Sequence, residues 1–81
     1  MAIDKTMSFR IEKDKSIRAR EILKEVYQAL VEKGYNPINQ IVGYLMSGDP
    51  GYITNYKNAR NMLVSIERVK VLEVLVKETI K

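Results

Sequence analysis

Residues 34–50, GYNPINQIVGYLMSGDP, carry the signals that end one helix and begin the next. Gly34 can take the left-handed conformation just past a helix end, and Asn36 followed by Pro37 is a favourable helix start. The apolar stripe of the second helix comprises Ile38, Ile41, Val42, Leu45 and Met46. Gly48 then ends this helix before a turn at residues 49–51. The stretch therefore predicts two helices joined by a very short link.

The segment before this link has the apolar spacing of a helix. One stripe is formed by Ala19, Ile22, Leu23, Val26, Tyr27 and Leu30. Asp14 or Ser16 can accept hydrogen bonds from the free N–H groups at the helix start. We expect Tyr35, just past Gly34, to fold back onto Leu30.

Two further helices are predicted in the second half of the chain. The third runs from about Thr54 to Ile66, with Ala59, Met62, Leu63 and Ile66 facing inward. Residues 68–81 are rich in β-branched side chains, but this segment is longer than typical strands, and Glu73 with Lys77 forms a favourable i, i+4 pair. This fourth helix is apolar on more than one face, so it must be covered on more than one face. A second subunit is the natural cover.

Residues 1–14 are polar and mixed in charge, and we predict a flexible N-terminal tail there, followed by a single helical domain over residues 15–81. The alternation of Met7, Phe9 and Ile11 with polar residues leaves two alternatives open. This segment is either a short edge strand or a tail that becomes ordered on binding.

The length of the chain points to self-association. A domain of 81 residues has a core that supplies only about 3–5 kcal/mol. The chain has neither cysteine nor histidine, so disulfides and ordinary structural zinc sites cannot supplement that core. We therefore expect an all-α, compact bundle of about four short helices that forms a homodimer. Gly43, inside the second helix, suggests the close approach of another helix.

Charge and hydropathy favour the cytoplasm. The formal net charge is +4, but most cations alternate with acidic residues, as on solvated helix faces. The N-terminus lacks the apolar run of a signal peptide, and no stretch approaches the length of a membrane span. We expect a cytoplasmic protein that does not insert into membranes.

The sequence argues against an enzyme. It has no histidine or cysteine, Ser47 lies in no nucleophile motif, and the glycines match neither phosphate-cradling pattern. We expect no cofactor and no metal. A small basic nucleic-acid-binding regulator remains the alternative, because two helices joined at Gly34 resemble a helix-turn-helix. The second helix, however, offers no positive charge for a recognition face.

Polar and aromatic residues around the central stretch suggest a protein interface, since tyrosine buries a large ring and keeps a polar tip. The candidate interface residues are Tyr35, Asn36, Asn39, Gln40, Gly43, Tyr44, Leu72 and Leu75. Ordinary half-buried core is the alternative for each tyrosine.

Thr6 is a candidate phosphorylation site. A hydroxyl on a flexible tail is accessible to a kinase, and the phosphate adds nearly two negative charges beside Lys5 and Arg10. Arg18 is a further cation that could dock it. An unmodified threonine is the alternative reading.

The run at residues 34–50, the start DKTM-x-F, the stretch YITNYKNARN at residues 52–61 and the pair Glu67-Arg68 closely resemble the IreB regulatory phosphoprotein family, also called YrzL-like. The likeness covers nearly the whole chain. The family occurs in low-GC Gram-positive bacteria, and the resemblance implies a small all-helical homodimer with no known enzymatic activity.

The resemblance also implies a pathway. The studied family member is a negative regulator of intrinsic cephalosporin resistance. It acts downstream of a membrane-spanning Ser/Thr kinase with extracellular PASTA repeats and the cognate phosphatase, and it is phosphorylated on N-terminal threonine. By motif, Thr6 is the position that carries over, and the downstream protein partner is unknown. The chain departs from the family pattern at Thr54, where proline is common, and at Val69 and Lys70, where relatives are acidic.

Overall fold

The computed structural model describes the backbone of residues 5–80 and the side chains of residues 13–80. Within residues 5–80 the chain forms helices and no strand, which confirms the all-α prediction. The helices are α1 (Lys5–Glu32), α2 (Pro37–Ser47), α3 (Ala59–Val64) and α4 (Arg68–Ile80). Short 3₁₀ turns at Pro50–Tyr52 and Tyr56–Asn58 connect α2 to α3.

Helix α1 begins well before the predicted boundary. The expected start at Asp14 or Ser16 is wrong, and so is the alternative of an edge strand, because the backbone is helical from Lys5. From residue 5 to residue 33 the sequence contains no glycine or proline, so nothing in it interrupts the helix. Residues 1–4 of the predicted tail, and the side chain of Thr6, lie outside the described part. The flexibility of the tail remains a prediction.

The link between α1 and α2 has the predicted geometry. Gly34 is left-handed with φ +83°, and the N–H of Tyr35 donates to the carbonyl of Leu30 at 2.9 Å. This is the hydrogen-bond pattern of a Schellman motif. Asn36 then caps α2, since its side chain accepts from the N–H of Asn39 at 3.1 Å. Gly48 ends α2 with φ +76°.

The core lies where α1 meets the other three helices. Its buried apolar side chains include Ala19, Ile22, Val26, Ala29, Leu30, Ile41, Tyr44, Ile53, Ala59, Leu63, Val71 and Val74. The predicted stripe of α1 is confirmed except at Tyr27, whose side chain is exposed. The inward positions of α3 are also confirmed, with Met62 and Ile66 partly buried against the core.

Helix α3 is shorter than predicted. The expected helix from Thr54 to Ile66 is wrong in its first half, because Lys57 and Asn58 have positive φ angles of 52° and 64°. A left-handed residue cannot continue a right-handed helix. The segment therefore forms a separate 3₁₀ turn before α3 begins at Ala59.

Helix α4 is confirmed as a helix and as apolar on more than one face. Val71 and Val74 are buried. Its C-terminal half is also held to α1 by an ion pair, in which Nη1 of Arg20 lies 2.6 Å from Oε1 of Glu78. Much of its remaining apolar surface is exposed.

Candidate protein-binding surface

An apolar groove of about 630 Å³ runs between α1, α2 and the middle of α4. Its apolar lining consists of Leu23, Tyr27, Ile38, Ile41, Val42, Leu45 and Leu75. Only Lys24 and Gln28 add polar groups to the lining. Grooves with this lining bind apolar side chains of other proteins.

The outer face of α2 adjoins this groove. Three residues of the predicted apolar stripe, Ile38, Val42 and Met46, have exposed fractions of 58%, 51% and 82%. They are spaced i, i+4, i+8 and form one row along the helix. The residues of α2 that face the core are Ile41 and Tyr44. The predicted apolar stripe of α2 therefore lies largely at the surface.

The packing of Tyr52 on Gly43 explains which side of α2 faces the protein. A Cβ at Gly43 would lie 2.5 Å from Cε1 of Tyr52, so the ring occupies the space that a side chain would fill. Gln40 Nε2 also donates to the carbonyl of Tyr52 at 2.9 Å. These contacts turn the Gly43 side of α2 toward the chain itself and leave Val42 facing outward.

Several predicted interface residues thus have roles inside the chain. Tyr44 is only 5% exposed and belongs to the core, which is the alternative given for each tyrosine. Its role at an interface between chains remains a prediction. The prediction that Gly43 admits another helix is wrong within the chain, because its close neighbour is Tyr52. Gln40 holds the same turn.

The remaining predicted interface residues are exposed but do not form one patch. Asn36 caps α2, and Asn39 and Tyr35 are exposed near the same helix start. Leu75 lines the groove. Leu72 lies on the outward side of α4, with Val69 and Val76. Whether any of these residues contacts a second chain remains a prediction.

The groove residues on α1 and α2 were missed as a surface by the sequence analysis. One signal could have found them, because α2 contains no charged residue from Pro37 to Ser47. A short helix without charges that packs on only one side leaves apolar surface toward solvent.

Outside the groove, charged groups of both signs lie close together. A concave region of about 430 Å³ between α1 and the start of α4 contains Lys15, Arg18 and Lys70, but also Glu67 and Glu73. Nζ of Lys70 lies 3.5 Å from Oε2 of Glu73. This mixture of signs does not form a single-sign field of the kind that selects nucleic acid.

The side chains of Lys33 and Lys57 flank the ring of Tyr56. Their Nζ atoms lie 5.2 and 5.4 Å from the ring centroid, within the range of cation–π contact. Nζ of Lys57 also lies 3.1 Å from Oε2 of Glu32. The hydrogen bond to Glu32, together with the charge of its carboxylate, raises the pKa of Lys57.

Among the described residues, no helix is both long and apolar enough to span a membrane. In the same part of the chain, no three side chains of the metal-ligating types come together as a metal site.

The outward face of α2 also lacks what a DNA-recognition helix needs. It presents Ile38, Asn39, Val42 and Met46, whereas base recognition uses a row of arginine, lysine, asparagine or glutamine side chains. This surface suits contact with protein.

The sequence model of the family described as "IreB regulatory phosphoprotein" matches residues 4–81. This chain belongs to the IreB regulatory phosphoprotein family. A UPF0297 protein of Ruminiclostridium cellulolyticum is 57% identical over 77 residues, covering 95% of this chain and 88% of the relative. A UPF0297 protein of Lachnoclostridium phytofermentans is 53% identical over 73 residues, covering 90% and 83%. The IreB resemblance expected from the sequence is thereby confirmed.

Membership in the IreB family supports a regulatory role. The matched range includes both Thr6 and the residues of the apolar groove. The family description names a phosphoprotein, but not the residue that carries phosphate or the protein that it regulates.

Proposed function

We propose that this chain is a non-enzymatic regulatory phosphoprotein that acts by binding other proteins in the cytoplasm. In this proposal a PASTA-type Ser/Thr kinase phosphorylates Thr6 and a cognate phosphatase removes the phosphate. The protein then modulates the cell-envelope stress response and intrinsic cephalosporin resistance. The observation that carries the proposal is the apolar groove beside the charge-free helix α2, in a chain of the IreB family.

A homodimer is part of the proposal. Fourteen large apolar side chains are exposed among those described, against twelve buried apolar residues in the core. A core this small gains little stability on its own, so covering the exposed apolar side chains with a second copy is favourable.

Because α1 begins at Lys5, a phosphate on Thr6 does not act by docking on Arg18 of the same chain. Thr6 follows the first helical residue, Lys5. Twelve positions along one helix correspond to about 18 Å, which places Arg18 beyond the reach of a phosphate on Thr6 of the same chain.

A phosphate on Thr6 instead acts at the N-terminus of α1. The first turn of α1 contains no acidic residue. The unpaired N–H groups and the positive end of the helix dipole attract negative charge there. Arg10 follows Thr6 by four positions, a spacing at which helical side chains interact. Phosphorylation therefore stabilises the helical form of the first turns, and so changes what this segment can bind.

Phosphosite mapping tests the kinase part of the proposal. The purified chain is incubated with the kinase domain of a PASTA-type kinase and ATP, and modified residues are located by mass spectrometry. We expect phosphate on Thr6 and no labelling of Thr6→Ala, while the matched variant Ser8→Ala is labelled normally. Labelling that persists in Thr6→Ala on Ser8 or Ser16 would contradict the assignment.

A second experiment tests the groove. Val42→Glu places a charge on the groove wall, and Val64→Glu places the same charge on an exposed apolar position outside it; the two side chains are 51% and 48% exposed. In a strain lacking the native gene, we expect Val64→Glu to restore normal cephalosporin susceptibility and Val42→Glu to fail, at equal protein levels. Equal activity of both variants would contradict a role for the groove.

A further inference from the structure

Helix α4 carries an apolar stripe on the side turned away from the core. Val69, Leu72, Val76 and Ile80 are 64%, 45%, 53% and 78% exposed. Their spacing of i, i+3, i+7 and i+11 puts them on one face of the helix. The opposite face holds the buried residues Val71 and Val74. The outward stripe is separate from the groove, which α4 lines through Leu75.

Two opposite charges lie along one edge of this stripe. Glu73 and Lys77 line the same shallow surface depression as Val69, Leu72 and Val76. They are four residues apart, so they lie on neighbouring turns on one side of the helix. The Glu73 side chain is 49% exposed, and its contact with Lys70 is long, at 3.5 Å. Both charges are therefore accessible to a partner helix.

We propose that α4 packs antiparallel against α4 of a second copy of this chain, about a two-fold axis level with Leu75. This inference rests on the homodimer of the proposed function and names its surface. In a two-fold interface every contact between the copies occurs twice, because each copy contributes the same surface. Glu73 therefore faces Lys77 of the second copy, and Lys77 faces its Glu73, giving two equivalent ion pairs.

The same register also interdigitates the apolar side chains. With Leu75 level with the axis, Leu72 falls between Val76 and Ile80 of the second copy. Val76 falls between Leu72 and Val76 of the second copy. Side chains of antiparallel helices pack in this alternating way when the seam is formed by one apolar stripe from each helix. The register that the charges select is thus compatible with packing of the apolar stripe.

Neighbouring registers lose this match. An axis level with Glu73 places the two Glu73 carboxylates together, and an axis level with Lys77 places the two Lys77 ammonium groups together. Like charges in contact oppose association. In a parallel pair, the edge with Glu73 and Lys77 lies beside the opposite edge, where the guanidinium of Arg68 already donates to the carbonyl of Leu45 at 3.1 Å. The antiparallel register therefore pairs Glu73 with Lys77 without removing Arg68 from the end of α2.

The size of the stripe sets the expected strength. The exposed parts of its four apolar side chains amount to roughly 400 Å² per copy, about half of what each partner contributes to a standard interface. We expect a dimer that dissociates on dilution. Its dissociation constant can therefore be measured by sedimentation over a concentration series.

Charge reversal tests the register. Glu73→Lys leaves two cations facing two cations in the dimer, and Lys77→Glu leaves four carboxylates together. Each variant is expected to raise the dissociation constant about tenfold or more. The double variant Glu73→Lys/Lys77→Glu restores both pairs, so its dissociation constant should return to near the wild-type value. Glu21→Lys and Lys13→Glu make the same charge changes at exposed positions on α1 and should leave it unchanged.

A mixture of the two single variants gives the decisive result. A Glu73→Lys chain and a Lys77→Glu chain attract each other at both contacts, whereas each repels its own kind. Native mass spectrometry of an equimolar mixture should show mainly the mixed dimer. An effect of the charges within one helix cannot produce this preference. Circular dichroism of each variant checks that the chains remain folded.

Three outcomes would overturn the inference. A wild-type dimer with unchanged affinity in both single variants, and no mixed dimer, would show that the copies meet elsewhere. Loss of the dimer in Val42→Glu but not in Glu73→Lys would assign the contact to the groove. Both outcomes reject the α4 pairing while leaving the proposed homodimer intact. A wild-type chain that is monomeric at all concentrations would reject the α4 pairing and the homodimer together. It would leave the proposed phosphorylation of Thr6 untouched.

Discussion

The ring of Tyr52 lies directly against the backbone of Gly43, so close that a Cβ at position 43 would be 2.5 Å from Cε1 of the ring. This contact connects the turn after α2 to the middle of α2. It explains why glycine occupies a helix interior, and it sets which side of α2 faces the protein.

Gly43→Ala should therefore destabilise the protein. Alanine is favoured over glycine in a helix by about 1 kcal/mol, but overpacking of this size costs about 1–3 kcal/mol. We expect a net loss in the free energy of unfolding, measured by urea denaturation. In a Tyr52→Ala background the ring is absent, so the same Gly43→Ala change should become stabilising. A loss of equal size in both backgrounds would show that Tyr52 is not the cause.

The cap of α2 gives a second prediction. Asn36 accepts from the N–H of Asn39 at 3.1 Å, and Asn36→Ala should lower the free energy of unfolding by about 1 kcal/mol. Asn36→Ser keeps a capping oxygen and should retain most of the stability. Asn39→Ala leaves the backbone N–H in place and serves as the control. Equal losses in Asn36→Ser and Asn36→Ala would contradict a capping role.

Arg68 gives a third prediction at the other end of α2. Its Nη1 donates to the carbonyl of Leu45 at 3.1 Å, beside Gly48, the glycine that ends α2. A cation there satisfies a helix-end carbonyl and complements the helix dipole. Arg68→Met should lower the free energy of unfolding by about 1 kcal/mol, because it removes a hydrogen bond from a charged donor. The difference in the free energy of unfolding between Arg68→Met and the wild type should shrink at high salt. A difference that does not depend on salt would show that Arg68 acts through packing instead.

Lys57 gives a prediction about pH. The hydrogen bond and charge of Glu32 raise the pKa of Lys57 in the folded state. Such a group contributes stability that is fully present below its unfolded pKa and is lost as pH rises through the folded pKa. Lys57→Met should therefore be less stable than the wild type near neutral pH, and the difference should shrink in alkaline solution, as the pH rises above the ordinary lysine pKa of about 10.4. Urea denaturation from neutral to alkaline pH measures it. Lys13→Met, at an exposed position on α1, is the control. If the difference in stability between Lys57→Met and the wild type stays constant with pH, the contact between Lys57 and Glu32 is not its cause.

Features that depend on neighbouring residues were predictable. The left-handed glycine at Gly34, the Asn36 cap and the Gly48 helix end were predicted from residue types, because each uses hydrogen bonds within a few positions. The start of α1 was not predicted. Polar residues with good helix propensity look the same in a tail and in a helix extension.

The candidate surface was predictable only in part. The sequence indicated correctly that α4 is apolar on more than one face and that Leu72 and Leu75 are exposed. It did not show that Tyr44 is buried and that Val42 is exposed. Periodicity identifies a stripe on α2, but two adjacent sides of that helix are apolar, so the pattern does not tell which one packs inward.

The sequence by itself determined the helical class, the glycine and asparagine helix ends and the family, because these depend on local hydrogen bonds and on residue identity along the chain. The tertiary structure decided which face of α2 is buried and where the apolar groove lies. The physical reason is the contact between Tyr52 and Gly43, which joins two segments separated by a turn and fixes the rotation of α2. The positive φ angles of Lys57 and Asn58, which shorten α3, likewise appear only in the folded chain.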